Sequence, residues 1–299
     1  MKSHFLKRAG NRLGLHLTNK AKWVKTLLAA AVTATLSFPV QAEVNLIFGT
    51  YTADKPTETV RKFKPFLNYL AAEMTTVLGE QVNIRMKIAK DYETGIDQLA
   101  NGEVDFARFG PASYVTVSER DNGIQIVAME LNDGSKRFTG IIAVHADSNL
   151  QSLSDLARHS FAFGDPLSTI GRYLAQSHLI EAGITSRDLA GYDYLGRHDL
   201  VGTAVGEGRF TAGALKDSTF KKLVEGGVPI RALFEFENVT KPWLAASGME
   251  PRVLDSMRQV MLNIDDPEIL DSIAKEGFAE GSDADYDFIR KAIQHSSMF

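Results

Sequence analysis

The 299-residue sequence predicts an α/β fold of two similar halves, each a mostly parallel sheet flanked by helices. Two observations predict it. Short apolar or alternating runs take turns with longer segments whose apolar residues recur every three to four positions, the βαβ rhythm of a parallel sheet with helices on both faces. In addition, the segment 101–107 (Asn-Gly-Glu-Val-Asp-Phe-Ala) is echoed at 207–213 (Glu-Gly-Arg-Phe-Thr-Ala-Gly), each copy ending a helix and starting a strand. Two such halves facing each other would gather their strand ends around one cleft, and ligands of open α/β sheets bind outside the carboxyl ends of the strands.

The first 42 residues stand outside this pattern. Lys2, Lys7, Arg8, Arg12, Lys20, Lys22 and Lys25 are basic with no acidic residue among them, an apolar run spans 26–38, and Val40-Gln41-Ala42 supplies a small-x-small cleavage signal. This reads as a secretory signal peptide cleaved near Ala42. The apolar run is shorter than the ~20 residues a membrane span needs. Removing seven positive charges from a net of −4 leaves a mature chain of 257 residues near −11. So acidic a chain argues against nucleic acid as a partner, although local dipoles in a cleft still suffice to hold an anion. The sequence contains no cysteine. An exported fold must then be held by its core alone, and thiolate chemistry or a lipid-modified cysteine is ruled out.

In the first half, strands are expected at 44–48, 82–89, 104–109 and 124–131, with helices at 65–78, 92–101 and 111–120. Pro65 is placed in a first helical turn, where its missing N–H costs little, and Gly102 ends a helix. The second half begins after 138–144. Strands are expected at 160–163, 192–195, 210–215 and 231–236, with helices at 153–157, from Ser168 to about Ala182, at 200–205 and at 218–224. A return segment at 242–247 leads to helices at 252–263, 268–276 and 284–294, a tail read as helical cladding on the first half without strands of its own.

The candidate site is the strand–turn–helix junction 164–171, Gly-Asp-Pro-Leu-Ser-Thr-Ile-Gly. Ser168 reads as an N-cap, with Thr169, Ile170 and Gly171 supplying N–H groups, and a helix N-terminus with these hydroxyls is a natural oxyanion site. A plain cap would use Ser168 in the same way. Gly171 inside the first turn costs about 1 kcal/mol relative to Ala, so a ligand or a neighbouring backbone is expected to approach it. Gly-Arg-His-Asp at 196–199 occupies the same place in the next βα unit and puts His198, a possible donor to an oxyanion, near the junction. In the first half, Tyr51, Phe109, Ser113 and Tyr114 lie at equivalent strand ends, Tyr114 serving packing as readily as contact. There is no Gly-x-Ser-x-Gly elbow, no His-Glu-x-x-His and no P-loop ending. No enzyme activity, catalytic residue, cofactor or metal is therefore expected.

The junction, the Gly-x-His-x stretch at 196–199, and Asn-Gly-x-Val-Asp at 101–105 followed by Phe-Gly-Pro-Ala-Ser-Tyr together resemble the phosphate/phosphite/phosphonate substrate-binding proteins of ABC transporters, in order along nearly the whole mature chain. The resemblance implies a two-lobed periplasmic binding protein fold of type II with two hinge crossings, here near 139–144 and 234–241. The lobes would comprise 43–141 plus 238–299, and 142–237. It also implies an anionic head seated on Ser168, Thr169 and Gly171 with His198, and Tyr51, Phe109, Ser113 and Tyr114 contributing from the first lobe. Two positions depart from the family: Ile170 stands where a Ser is frequent, and Thr211 stands in a strand start where many members carry an Asp for an aminoalkyl amine, which argues against an aminophosphonate. The expected protein is a periplasmic monomer that captures a small oxyanion for an inner-membrane ABC permease; the alternative is a ligand sensor feeding a membrane histidine kinase.

Overall fold

The computed structural model describes residues 43–53, 55–273 and 275–299; the expected signal peptide lies outside the described residues. Two sheets organise the chain. The first has six strands in the order β11-β4-β10-β3-β1-β2. β1 (Glu43–Tyr51) runs parallel to β2 (Gln81–Ala89), with Glu43 opposite Gln81 and Tyr51 opposite Ala89, and parallel to β3 (Phe106–Arg108). β10 (Pro242–Ala245) lies antiparallel between β3 and β4 (Gln125–Glu130), and β11 (Phe278–Ala279) is antiparallel to β4. The second sheet has five strands in the order β7-β6-β8-β5-β9. β6 (Ser160–Phe163) is parallel to β7 (Gly191–Tyr194) and β8 (Ala212–Lys216), while β5 (Arg137–His145) is antiparallel to β8 and to β9 (Ile230–Val239).

The sequence explains why these segments pair as they do. β1 loses its alternation after Leu46 and becomes buried on both faces, as a central strand between helical layers must. Helix α1 (Pro56–Leu78) lays Phe63, Phe66, Leu67, Leu70 and Met74 on one side of the sheet. Their main partner is the fully buried Trp243, whose ring lies 5.1 Å from Phe48 and 5.0 Å from Phe66. α1 begins at Pro56, earlier than the periodicity suggests, and Pro65 falls inside it. Both Pro65 and Arg61 are exposed, so the carbonyl that loses its hydrogen bond reaches water. The segment expected as a helix at 153–157 is a 3₁₀ turn, Leu153–Leu156, closed by a Ser152/Asp155 capping box.

α2 (Tyr92–Ala100) and α3 (Pro111–Arg120) follow β2 and β3; α4 (Ala175–Glu181), α5 (His198–Gly206) and α6 (Asp217–Glu225) belong to the second sheet. The chain leaves the first sheet after Glu130, enters the second at Arg137, and returns through Thr240 and Lys241. Arg137 lies opposite Val239 on β9, so both passages leave from the same end of one β5–β9 ribbon. The C-terminal tail contributes two strands as well as helices. α7 (Pro251–Leu262) and α8 (Pro267–Ser272) pack on α1 as cladding, but α9 (Asp287–Ser296) packs against α3, α4 and the turn at 169–174. Its buried Ile289 and Ala292 join the core cluster that also contains Phe161 and Phe163, and this draws the last helix across to elements of the second sheet.

The junction after β6 does not enter an α-helix directly. Residues Thr169–Leu174 form a π-turn in which the Ser168 carbonyl accepts from Arg172 N–H at 3.1 Å and from Tyr173 N–H at 3.2 Å. Gly164 N–H donates back to the Gly171 carbonyl at 2.8 Å, folding the end of β6 against the first turn. A Cβ at Gly171 would stand 2.8 Å from Gly164 Cα, so a neighbouring backbone, and not a ligand, demands this glycine. Gly171→Ala is expected to lower the unfolding free energy by about 1–3 kcal/mol, as overpacking of a close contact does, measured by urea denaturation; an unchanged midpoint would show that the contact relaxes freely.

Candidate functional site

The carboxyl ends of β1, β3 and β6, the start of α5 and the return passage from β9 converge on one small cavity of about 20 Å³. Tyr51, Ser168, Thr169, Ile170 and His198 line it, five of the residues expected from the sequence. At the helix mouth, Ser168 Oγ accepts from Gly171 N–H at 3.0 Å, and Thr169 Oγ1 accepts from Ala112 N–H at 2.9 Å. Each hydroxyl has thereby spent an acceptor site and keeps its own proton to donate. The N–H groups of Thr169 and Ile170, in the first turn, have no acceptor within the helix. The Gly171 N–H does have one, in Ser168 Oγ, and Gly171 shapes the turn.

Opposite the mouth, Tyr51 stacks between Tyr92 and Phe109, with ring centroids 3.7 and 5.1 Å away. Its hydroxyl accepts from Gly110 N–H at 2.6 Å and shares a hydrogen bond with Ser113 Oγ at 2.9 Å. Burial raises the Tyr51 phenol well above its ordinary value, keeping it protonated. Ser113 thus stands behind Tyr51, and Phe109 lines a neighbouring, larger cavity. Tyr114 lines neither cavity: its hydroxyl donates to Asp283 Oδ1 at 2.7 Å and its ring meets Tyr286 at 4.7 Å. The pitch of α3 explains this, since consecutive residues Ser113 and Tyr114 point about 100° apart. His198 opens α5, is buried, and its backbone N–H donates to the Ala53 carbonyl at 3.2 Å.

Three lining residues carry no sequence motif: Asn238, Lys216 and Lys241. Asn238 is fully buried, and neither its Nδ2 nor its Oδ1 has a partner among the described residues. A buried amide left in that state costs roughly 1–3 kcal/mol. The only signal in the sequence is a polar residue within the run 234–239 that otherwise alternates, which any strand facing water would share. Thr211, by contrast, belongs to the other end of the sheet. It precedes β8 and its N–H donates to Ser160 Oγ at 3.0 Å, at the amino end of β6. The argument against an aminoalkyl ligand therefore loses Thr211; at the carboxyl end of β8 the lining residue is Lys216.

The larger cavity, about 600 Å³, adjoins the small one and shares Tyr51, Gly110, Lys216 and Lys241 with it. Beneath it, Glu130 is buried and accepts from Arg108 through Nε at 2.5 Å and a second nitrogen at 2.8 Å, with Trp243 Nε1 at 3.2 Å and Lys275 Nζ at 3.7 Å. Another cavity, about 440 Å³, lies by α4 and α9 and is lined by Arg137, His178, Lys291 and His295 among others, with none of the residues expected from the sequence. Among the described residues no group of three or more His, Cys, Asp or Glu is placed to hold a metal ion, and no helix is long and apolar enough to cross a membrane.

Burial raises the Glu130 carboxyl, but the charges of Arg108, Lys275 and Lys62 and the Arg108 hydrogen bonds outweigh it and hold the group well below the usual carboxylate range. A carboxylate depressed in the folded state stabilises fully above its unfolded value, here 4.5, and loses that contribution as the pH falls further. Thermal stability is expected to fall on acidification below about pH 4.5, and Glu130→Gln, less stable at pH 7, is expected to flatten that decline. An equally steep decline in the variant would remove Glu130 from the acid response.

Comparison with known proteins identifies the family and the fold. The family described as ABC transporter, phosphonate, periplasmic substrate-binding protein matches residues 48–286. A probable phosphite-binding protein of an ABC transporter from Prochlorococcus marinus is 24% identical over 234 residues, covering 70% of this chain and 78% of that protein. A phosphate-import protein from Mycolicibacterium smegmatis is 25% identical over 234 residues, covering 68% and 72%. Among solved structures, the Prochlorococcus marinus protein in complex with methylphosphonate superposes with a TM-score of 0.74 at 21% identity, over 85% of this chain and 99% of that one. The fold is thus that of type II periplasmic binding proteins, the role is substrate binding for transport and not catalysis, and the chain belongs to the family of phosphonate-type periplasmic substrate-binding proteins of ABC transporters.

Proposed function

We propose that this protein captures a small phosphorus oxyanion, of the phosphonate, phosphite or phosphate class, in the periplasm and presents it to an inner-membrane ABC permease. The relatives support the class: one is named for phosphite, one for phosphate import, and a solved neighbour holds methylphosphonate. The sensing alternative gains no support from them. The observation that carries the reading for this chain is the buried Asn238 amide, unpartnered among the described residues, in the same cavity as Ser168 and Thr169. An oxyanion there would accept from the Thr169 and Ile170 N–H groups, the two hydroxyls and Asn238 Nδ2, with His198 and Tyr51 flanking it. Charge-assisted bonds of this kind are the stronger sort, and the helix mouth adds a favourable dipole.

The two sheets act in this reading as lobes hinged by the β5–β9 ribbon and the passage at Thr240–Lys241, residues 43–141 plus 238–299 forming one lobe and 142–237 the other. The Ala112–Thr169 hydrogen bond joins the two halves across the site, and ligand binding shifts the population towards that closed arrangement. Export would follow from the N-terminal signal peptide, and the mature protein would act as a monomer.

Ser168→Ala removes a hydroxyl donor and leaves the fold's sheets untouched. It is expected to weaken methylphosphonate binding at least tenfold by titration calorimetry, a charged hydrogen bond being worth about 1.5–3 kcal/mol. Binding at wild-type affinity would reject the helix mouth as the anion site.

A further inference from the structure

The larger cavity carries an excess of positive charge that a lone phosphoryl head does not need. Among the described residues its lining includes seven lysines and arginines but three carboxylates. Those carboxylates are largely spoken for: Glu58 bonds Arg61 and Lys222, each at 3.2 Å, and Asp199 bonds Arg197 at 2.9 and 2.8 Å. Glu130, behind the wall, is saturated by Arg108 and Lys275. Lys62, on α1, and Lys241, on the return passage, are half-buried in this wall and form no ion pair among the described residues. Burial first, and then Arg108 and Lys216, push both ammonium groups well below the ordinary lysine value. Cations gathered in a partly dry cavity repel one another and are costly until an anion joins them.

The position of this excess is specific. Lys241 lines both cavities, so the basic wall begins where the small cavity ends. The volume of about 600 Å³ lies within the range of small-molecule sites, ~300–1,000 Å³, whereas the small cavity measures about 20 Å³. A ligand whose head sits at the helix mouth would extend its remaining atoms past Lys241 towards Lys62.

We infer that the preferred substrate is a phosphonate bearing a second anionic group, a carboxylate or a second phosphoryl, whose short tail lies between Lys241 and Lys62 in the larger cavity. This rests on the oxyanion reading above and narrows it: an ammonium-bearing tail is disfavoured by the same lysines. Arg108 supplies field and no direct contact, because its guanidinium is committed to Glu130.

The mature protein is titrated calorimetrically with four phosphonates (methylphosphonate, phosphonoacetate, methylenediphosphonate and 2-aminoethylphosphonate) and with phosphate and phosphite. Phosphonoacetate or methylenediphosphonate, whichever second group is the right one, is expected to bind at least tenfold tighter than methylphosphonate, and 2-aminoethylphosphonate at least tenfold weaker than that tighter ligand. Lys62→Gln and Lys241→Gln are each expected to reduce the dianion-to-methylphosphonate affinity ratio at least threefold, with a ligand-induced rise in Tm reporting that each variant is folded. If methylphosphonate binds as tightly as both dianionic ligands, or 2-aminoethylphosphonate binds tightest, the inference is overturned while the oxyanion site stands. The same holds if both folded variants keep the wild-type ratio. If phosphate or phosphite binds and none of the four phosphonates does, the inference alone is overturned; if none of the six binds, the oxyanion reading itself falls.

Discussion

The contact between Gly164 and Gly171 determines the geometry of the site. Two backbones approach so closely there that position 171 has no room for a side chain and position 164 only a tight one, and the Gly164 N–H closes onto the Gly171 carbonyl. The strand end is folded under the helix start, the first turn widens into a π-turn, and Ser168 and Thr169 are carried to the tip. From there Thr169 reaches Ala112 at the start of α3. A π-turn is a costly way to begin a helix, and such features concentrate at functional sites. Here it leaves the Thr169 and Ile170 N–H groups without an acceptor in the helix and carries the Thr169 hydroxyl across to Ala112.

The opposite wall is built on different physics. Tyr51, Tyr92 and Phe109 form an aromatic stack, and the Tyr51 hydroxyl is fixed by Gly110 and Ser113. A rigid ring edge of this kind sets the width of the cavity, while the ribbon that returns from the second sheet brings Asn238 and Lys241 into it. The helix-mouth hydroxyls thus come from one half, the aromatic wall from the other, and Asn238 and Lys241 from the connection between them. In the proposed site an anion would meet the local field of amides and lysines and not the net charge of the chain.

Much of this was legible in the sequence where local rules govern. The βαβ rhythm gave the order of strands and helices, and the Ser-Thr-Ile-Gly junction marked the helix mouth, because strand period, helix caps and turn residues are properties of neighbouring residues. What escaped were features set by tertiary contact. Pro65 sits inside α1 because the Arg61 carbonyl that it leaves unbonded faces water, α9 crosses to the second sheet because its apolar face finds the core around Phe163, and β11 is two residues long and has no periodicity to detect. Tyr114 and Ser113 are adjacent in sequence yet face different ways. Thr211 lies at a strand start, and the parallel pairing of β8 with β6 puts that start far from the carboxyl-end mouth. Asn238, Lys216 and Lys241 belong to no local pattern; the end of β8 supplies Lys216, and the return of the chain through β9 brings Asn238 and Lys241 beside it.

In the proposed site an oxyanion is held by the amides of Thr169 and Ile170 together with Asn238, and a ¹H–¹⁵N correlation titration of residues 43–299 with methylphosphonate tests this directly. The Thr169 and Ile170 backbone amides and the Asn238 side-chain amide are expected to show the largest downfield proton shifts, with the Gly171 amide, already bonded to Ser168, moving less. Amides at 169 and 170 that stay in place while the dominant shifts appear around Arg137, His178 and His295 would contradict it.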